Sequence, residues 1–138
     1  MESLITFQLN WVAVIGAAVF SMILGFIWYA EPVFGKAWMK ELGFKKSDLN
    51  PNPVIYLFTF LGALLTSFIL ANVILLVNAN TIVNGALVGL MFGLVFLTGM
   101  MMSFAFEKRT MRHFLIDSMY QVVYLTLIGG MFGSFLFN

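Results

Sequence analysis

The sequence has no cysteine, one histidine and few charges, with 9% of its 138 residues being Asp, Glu, Lys or Arg. Without cysteine there are no disulfides, thiolate metal sites or thiol nucleophiles, and nothing reports a redox compartment. The net charge of +1 excludes nucleic acid as a partner, which requires a basic face. Soluble domains are about 25% charged and about 45–50% apolar. Here 62% of residues are hydrophobic and the mean hydropathy is +1.00. A soluble chain this apolar could not cover its own surface, so the solvent is lipid. Catalytic signatures are missing too: there is no Gly-x-Ser-x-Gly elbow, phosphate loop or His-Glu-x-x-His. No enzyme, cofactor or metal site is expected, and a lipid-modifying activity is the one enzymatic alternative.

Four uninterrupted apolar runs are present, at about residues 9–30, 54–77, 82–106 and 114–137. Each exceeds the roughly 20 residues needed to cross a hydrocarbon core at about 1.5 Å per residue. Backbone groups cannot stay unpaired in lipid, so these runs are helices. The expected fold is all-α: one four-helix transmembrane domain over residues 1–138, with an additional short interfacial helix. The N-terminal "MESLITFQLNW" lacks the basic region of a secretory signal and is expected to be retained.

Charge placement gives an orientation. All seven Lys and Arg lie in two loops, Lys36, Lys40, Lys45 and Lys46 in the first and Lys108, Arg109 and Arg112 in the second. By the positive-inside rule both loops are cytoplasmic and both termini outside. The uncharged "NANT" (Asn78–Thr81) between the second and third runs predicts a tight antiparallel hairpin.

Small residues mark where helices approach one another, because lipid provides no hydrophobic drive for association. The first run has Ala13, Ala17, Ser21 and Gly25 at four-residue spacing. Ala63, Ser67 and Ala71 lie in the second, Gly85, Gly89 and Gly93 in the third, and Gly129 and Gly133 in the fourth. Two readings stand: packing within one bundle, and self-association into a homo-oligomer.

After the first run comes "GFIWYAEPVFGKAWMKELGF", Gly25 to Phe44. Phe34, Ala37, Trp38 and Leu42 share one helical face, with Lys36, Lys40 and Glu41 elsewhere. Pro32 suits a first helical position and Gly43 a C-terminal cap. The segment at about 33–43 is therefore expected to be an amphipathic helix on the cytoplasmic leaflet, with Trp28 and Tyr29 at headgroup level. Trp28, Tyr29, Phe34 and Trp38 form either an interfacial belt or an aromatic pocket for a headgroup, apolar ligand or cation, and Glu31 is either its counter-charge or a boundary residue that snorkels or pairs with Lys36 or a nearby lysine. Asn50-Pro51-Asn52-Pro53 ends this excursion, since Pro disfavours helix at the preceding residue.

The motif Gly-x-x-Trp-Tyr…Phe-Gly-x-x-Trp falls here on Gly25, Trp28, Tyr29, Phe34, Gly35 and Trp38, followed by Phe106, Glu107 and Arg109 before the last run. In these features, and over nearly its full length, the chain resembles the uncharacterised bacterial membrane family called domain of unknown function 1761. The resemblance implies four spans in a bacterial cell membrane and supplies no activity. It also implies that Asn can stand where this chain has Asp117.

His113 and Asp117 are four residues apart at the start of the last helix, and Tyr120, Gln121 and Tyr124 continue that polar stripe inward. An intramembrane carboxylate costs up to ~3 kcal/mol unless paired or hydrated, and histidine titrates near physiological pH. The stripe is either a structural ion pair with His113, Arg112 or Arg109, or a ligand or proton site facing the cytoplasm. On the other side Asn10, Asn72 and Asn84 lie near helix ends, as caps or as a vestibule lining.

Two functions follow as expectations. The first is an oligomeric channel or transporter for a small solute or ion, lined by the polar stripe. The second is a non-transporting subunit that binds lipid or a protein partner through the interfacial helix and the glycine ladder. The orientation is directly testable: alkaline phosphatase fused to the C-terminus should be active and a fluorescent-protein fusion dark. The reverse pattern would put the termini in the cytoplasm.

Overall fold

The computed structural model describes residues 3–43, 45, 47 and 52–137. Lys46, Asn50 and Pro51, used above, lie outside the described residues. The elements are α1 (Trp11–Trp28), a π turn (Glu31–Gly35), α2 (Lys36–Leu42), α3 (Pro53–Leu76), α4 (Ile82–Glu107) and α5 (Met111–Phe135). There is no strand among the described residues. Helices α1, α3, α4 and α5 are each long and apolar enough to cross a membrane, which makes this a multi-pass architecture.

Helix starts are set by side-chain caps that satisfy otherwise orphaned backbone N–H groups. Asn10 accepts from Ala13 N at 3.2 Å, Asn52 from Val54 N at 3.0 Å, Thr81 from Asn84 N at 3.1 Å and Thr110 from His113 N at 3.2 Å. The cap on Asn52 precedes Pro53 at the first helical position. Gly43 ends α2 in the left-handed region at φ 75°, as its position suggested.

The amphipathic segment differs from a plain helix over 33–43. It opens with a wide turn in which Gly35 N–H donates to Ala30 O at 2.9 Å, five residues back, before α-geometry resumes at Lys36. A Cβ at residue 35 would collide with the Tyr29 carbonyl oxygen and come within 2.8 Å of the Ala30 carbonyl carbon. Glycine is what lets the chain fold back here.

Helix α5 is the hub, packing against α1, α2, α3 and, most extensively, α4. The α4 contact is backbone on backbone. A Cβ on Gly85 would strike the Gly129 carbonyl, one on Gly89 the Leu125 carbonyl, and one on Gly93 would lie 2.8 Å from Val122 Cα. These three glycines are the buried residues of α4, so the ladder is consumed inside the bundle. The rest of α4, with Val95 and Phe106 among its most exposed side chains, is left to lipid. The "NANT" turn is short, with Asn78 left-handed at φ 53°, a conformation Asn tolerates. Yet α3 and α4 hardly touch. The expected hairpin is a connection without a packed interface, because the glycines of α4 face α5.

Ala17 and Ser21 of the α1 stripe are buried, Ala13 is half-buried, and Gly25 faces α5, where a Cβ would sit 3.1 Å from the Tyr120 hydroxyl. The core is filled by Val14 and Ala17 of α1, Leu70, Ala71 and Ile74 of α3, and Leu125, Ile128 and Phe132 of α5. The N-terminal segment leans on α3: Thr6 N–H donates to Asn72 Oδ1 at 2.7 Å, and Phe7 stacks on Phe68 at 5.3 Å. Asn72 and Asn10 are thus a tether and a cap.

Substituting Gly89→Ala should lower the unfolding free energy in bicelles by about 1–3 kcal/mol through overpacking. Gly99→Ala, which meets nothing within 4 Å, should leave it unchanged or raise it by up to ~1 kcal/mol. Equal effects at the two positions would contradict the α4–α5 contact.

Candidate functional site

Three bonds dock the end of α1 onto the first turns of α5. Trp28 Nε1–H donates to the Ile116 carbonyl at 3.1 Å, a second bond on an oxygen with two lone pairs. Tyr29 donates its hydroxyl to Asp117 Oδ1 at 2.7 Å. One turn deeper, Tyr120 O–H donates to the Ser21 carbonyl at 2.8 Å. Within α5, His113 Nε2 lies 2.9 Å from Asp117 Oδ2. Both carboxylate oxygens of Asp117 are therefore engaged, one by each helix. This is the kind of partnering that a carboxylate at the membrane boundary requires.

Aromatic rings surround these bonds. Trp38 of α2 meets Tyr29 edge-on at 5.3 Å, Tyr29 meets Tyr120 at 5.6 Å, and Tyr120 stacks on Tyr124 at 5.6 Å. Phe34 of the π turn packs on Trp28 at 4.6 Å. Such pairs contribute about 0.5–1.5 kcal/mol each beyond area burial. The column runs from α2 into the bundle, where Tyr124 is buried in the core. The π turn is what brings Phe34 and Trp38 back to α1, so Gly35 supports the site without joining it.

The two candidate sites of the sequence are one site in the fold. Trp28 and Tyr29, from the aromatic patch, bond directly to the backbone and carboxylate of the His113–Asp117–Tyr120 stripe. Glu31 opens the π turn and is exposed. Gln121 is half-buried, and its side chain forms no hydrogen bond among the described residues. His113 is buried, and among the described residues its Nδ1 has no hydrogen-bond partner. Periodicity carries no sign of the Ile116 and Ser21 carbonyls, because a backbone acceptor has no residue type.

Two openings flank the start of α5. A cleft of about 270 Å³ lies between α4 and α5. Met100, Phe104 and Phe114 give it an apolar wall, and Ser103, His113 and Asp117 a polar one. The Glu107–Arg109 ion pair stands at its edge. The second opening, about 560 Å³, lies between the π turn, α2 and α5, with Arg112 among its lining residues. Among the described residues no cluster of three or more metal-ligating side chains occurs.

Four membrane-length helices, with α1 and α2 tied to α5 by this aromatic and carboxylate network and α4 by its glycines, define a small polytopic α-helical membrane protein. The model of the family described as "Protein of unknown function (DUF1761)" matches residues 12–133, a stretch that takes in all the bonds above, and the chain belongs to that family. No curated protein and no solved structure matches it.

A double-mutant cycle tests the network. Tyr29→Phe and Asp117→Ala should each destabilise the protein in bicelles, with a coupling energy of about 1 kcal/mol. Additive effects would mean that the hydroxyl and the carboxylate do not meet.

Proposed function

We propose that this protein is a non-transporting membrane module that binds lipid or a partner at the end of the bundle carrying α2 and the α4–α5 loop. The supporting observation is the distribution of polar and closed regions along the bundle. Three members of the polar stripe, His113, Asp117 and Tyr120, are spent on internal bonds, from Tyr29–Asp117–His113 to Tyr120–Ser21. Beyond Tyr124 the interior is filled by Leu70, Ile74, Ile128 and Phe132, each 0–1% exposed. The two openings beside α5 are lateral, between helices, where a membrane-borne ligand arrives.

Charge supports the sidedness. Lys36, Lys40, Lys108, Arg109 and Arg112 all belong to this end, so the positive-inside rule makes it cytoplasmic, with both termini outside. The working surface is then the cytoplasmic leaflet and the water just below it. An oligomeric channel, the other function expected from the sequence, would have to conduct between copies along the lipid-facing side of α4, because the bundle's own interior is packed shut.

Flux measurements in proteoliposomes separate these readings. Protein-containing vesicles should leak protons and potassium no faster than protein-free ones, and Asp117→Asn should leave that rate unchanged. A flux that disappears with Asp117→Asn would overturn the proposal in favour of transport.

A further inference from the structure

The larger opening has walls that packing alone does not require. Trp28, Val33 and Phe34 form one side and Leu115, Ile116 and Met119 the other, around about 560 Å³. Arg112 is the charged residue of this lining. Its guanidinium has no carboxylate partner among the described residues, whereas Arg109, at the other cleft, is paired with Glu107. A free guanidinium offers a planar fork of donors that matches phosphate oxygens. The apolar trough beside it matches a hydrocarbon chain. Among the described residues no carboxylate lines the groove to receive the ammonium of a zwitterionic headgroup. The walls are also fixed in advance: Trp28 is held by its bond to the Ile116 carbonyl at 3.1 Å and by Phe34 at 4.6 Å. Little ordering is left for an occupant to supply.

We infer that this groove binds one anionic phospholipid, with its phosphate on Arg112 and an acyl chain along the trough of Trp28, Phe34 and Ile116. The site rests on the membrane-module reading above and names its ligand class. The cytoplasmic leaflet, where Arg112 would lie, is the one that carries anionic headgroups and attracts basic side chains.

Native mass spectrometry of the full-length protein in mild detergent tests this, with phosphatidylglycerol and phosphatidylcholine of identical acyl chains as probes. Phosphatidylglycerol should bind as a single retained equivalent, in preference to phosphatidylcholine. Arg112→Ala should weaken it roughly fivefold, and Arg112→Lys should restore part of the loss. Ala37→Phe, which fills the groove from α2, should remove binding of both lipids while thermal unfolding shows the fold intact. Lys40→Ala, an exposed cation outside the lining, should change nothing. Equal retention of the two lipids would mean that headgroup charge is not read, an equal loss with Lys40→Ala would reduce the effect to general surface charge, and either would overturn the inference. A dimer that dissociates on Ala37→Phe with no lipid retained would assign the groove to a second copy and overturn it as well. These outcomes leave the flux result untouched, so failure here is distinct from failure of the membrane-module reading.

Discussion

Apolar helices gain almost nothing by leaving lipid for one another, so what joins them must be either very close packing or hydrogen bonds. Helix α5 provides both, at different heights. Toward the Thr81 end, Gly129 and Gly133 let α4 approach until backbone meets backbone, with the Thr81 carbonyl where a Cβ of residue 133 would be. Toward the opposite end, Asp117, the Ile116 carbonyl and Tyr120 exchange hydrogen bonds with α1. Helix α4 contributes its glycine edge and little more. The remaining helices are arranged by what α5 presents to them.

This division explains why the polar chemistry collects at one end. Glycine contacts leave no space for side chains, so ionisable groups fall where α4 and α5 part, around His113 and Asp117. The Tyr29 hydroxyl and the His113 imidazole then satisfy the carboxylate from two directions. The π turn at Gly35 returns the chain over the same place and closes the aromatic column with Phe34 and Trp38. The resulting end is well bonded internally, and two openings beside α5 lie between its elements.

Much of the scaffold is legible in the sequence because lipid imposes a simple rule: a long apolar run must be a helix. The ends shift where polar residues are helical nonetheless. Helix α5 begins at Met111 rather than Phe114, because Thr110 caps the His113 N–H and Arg112 and His113 complete the first turn. Helix α1 stops at Trp28 because Ala30 is extended, at ψ 146°, before the wide turn. The turn itself is not legible, since nothing in "EPVFG" distinguishes a five-residue hydrogen-bonded loop from a helical start. Nor is the partnering of faces. Periodicity groups His113 with Asp117 and Trp28 with Tyr29, but which face meets which is decided in three dimensions. The short "NANT" turn points to α3 as the neighbour of α4, while Gly85, Gly89 and Gly93 select α5.

The contact on which the account stands most heavily is that between Tyr29 and Asp117, because it joins the segment after α1 to the hub. Magic-angle-spinning NMR of the protein in lipid bilayers, with 13Cζ-labelled tyrosine and 13Cγ-labelled aspartate, measures it directly. A through-space Tyr–Asp cross-peak is expected that survives Tyr124→Phe and disappears with Tyr29→Phe. Absence of that cross-peak in the unaltered protein, or its persistence in Tyr29→Phe, would contradict it.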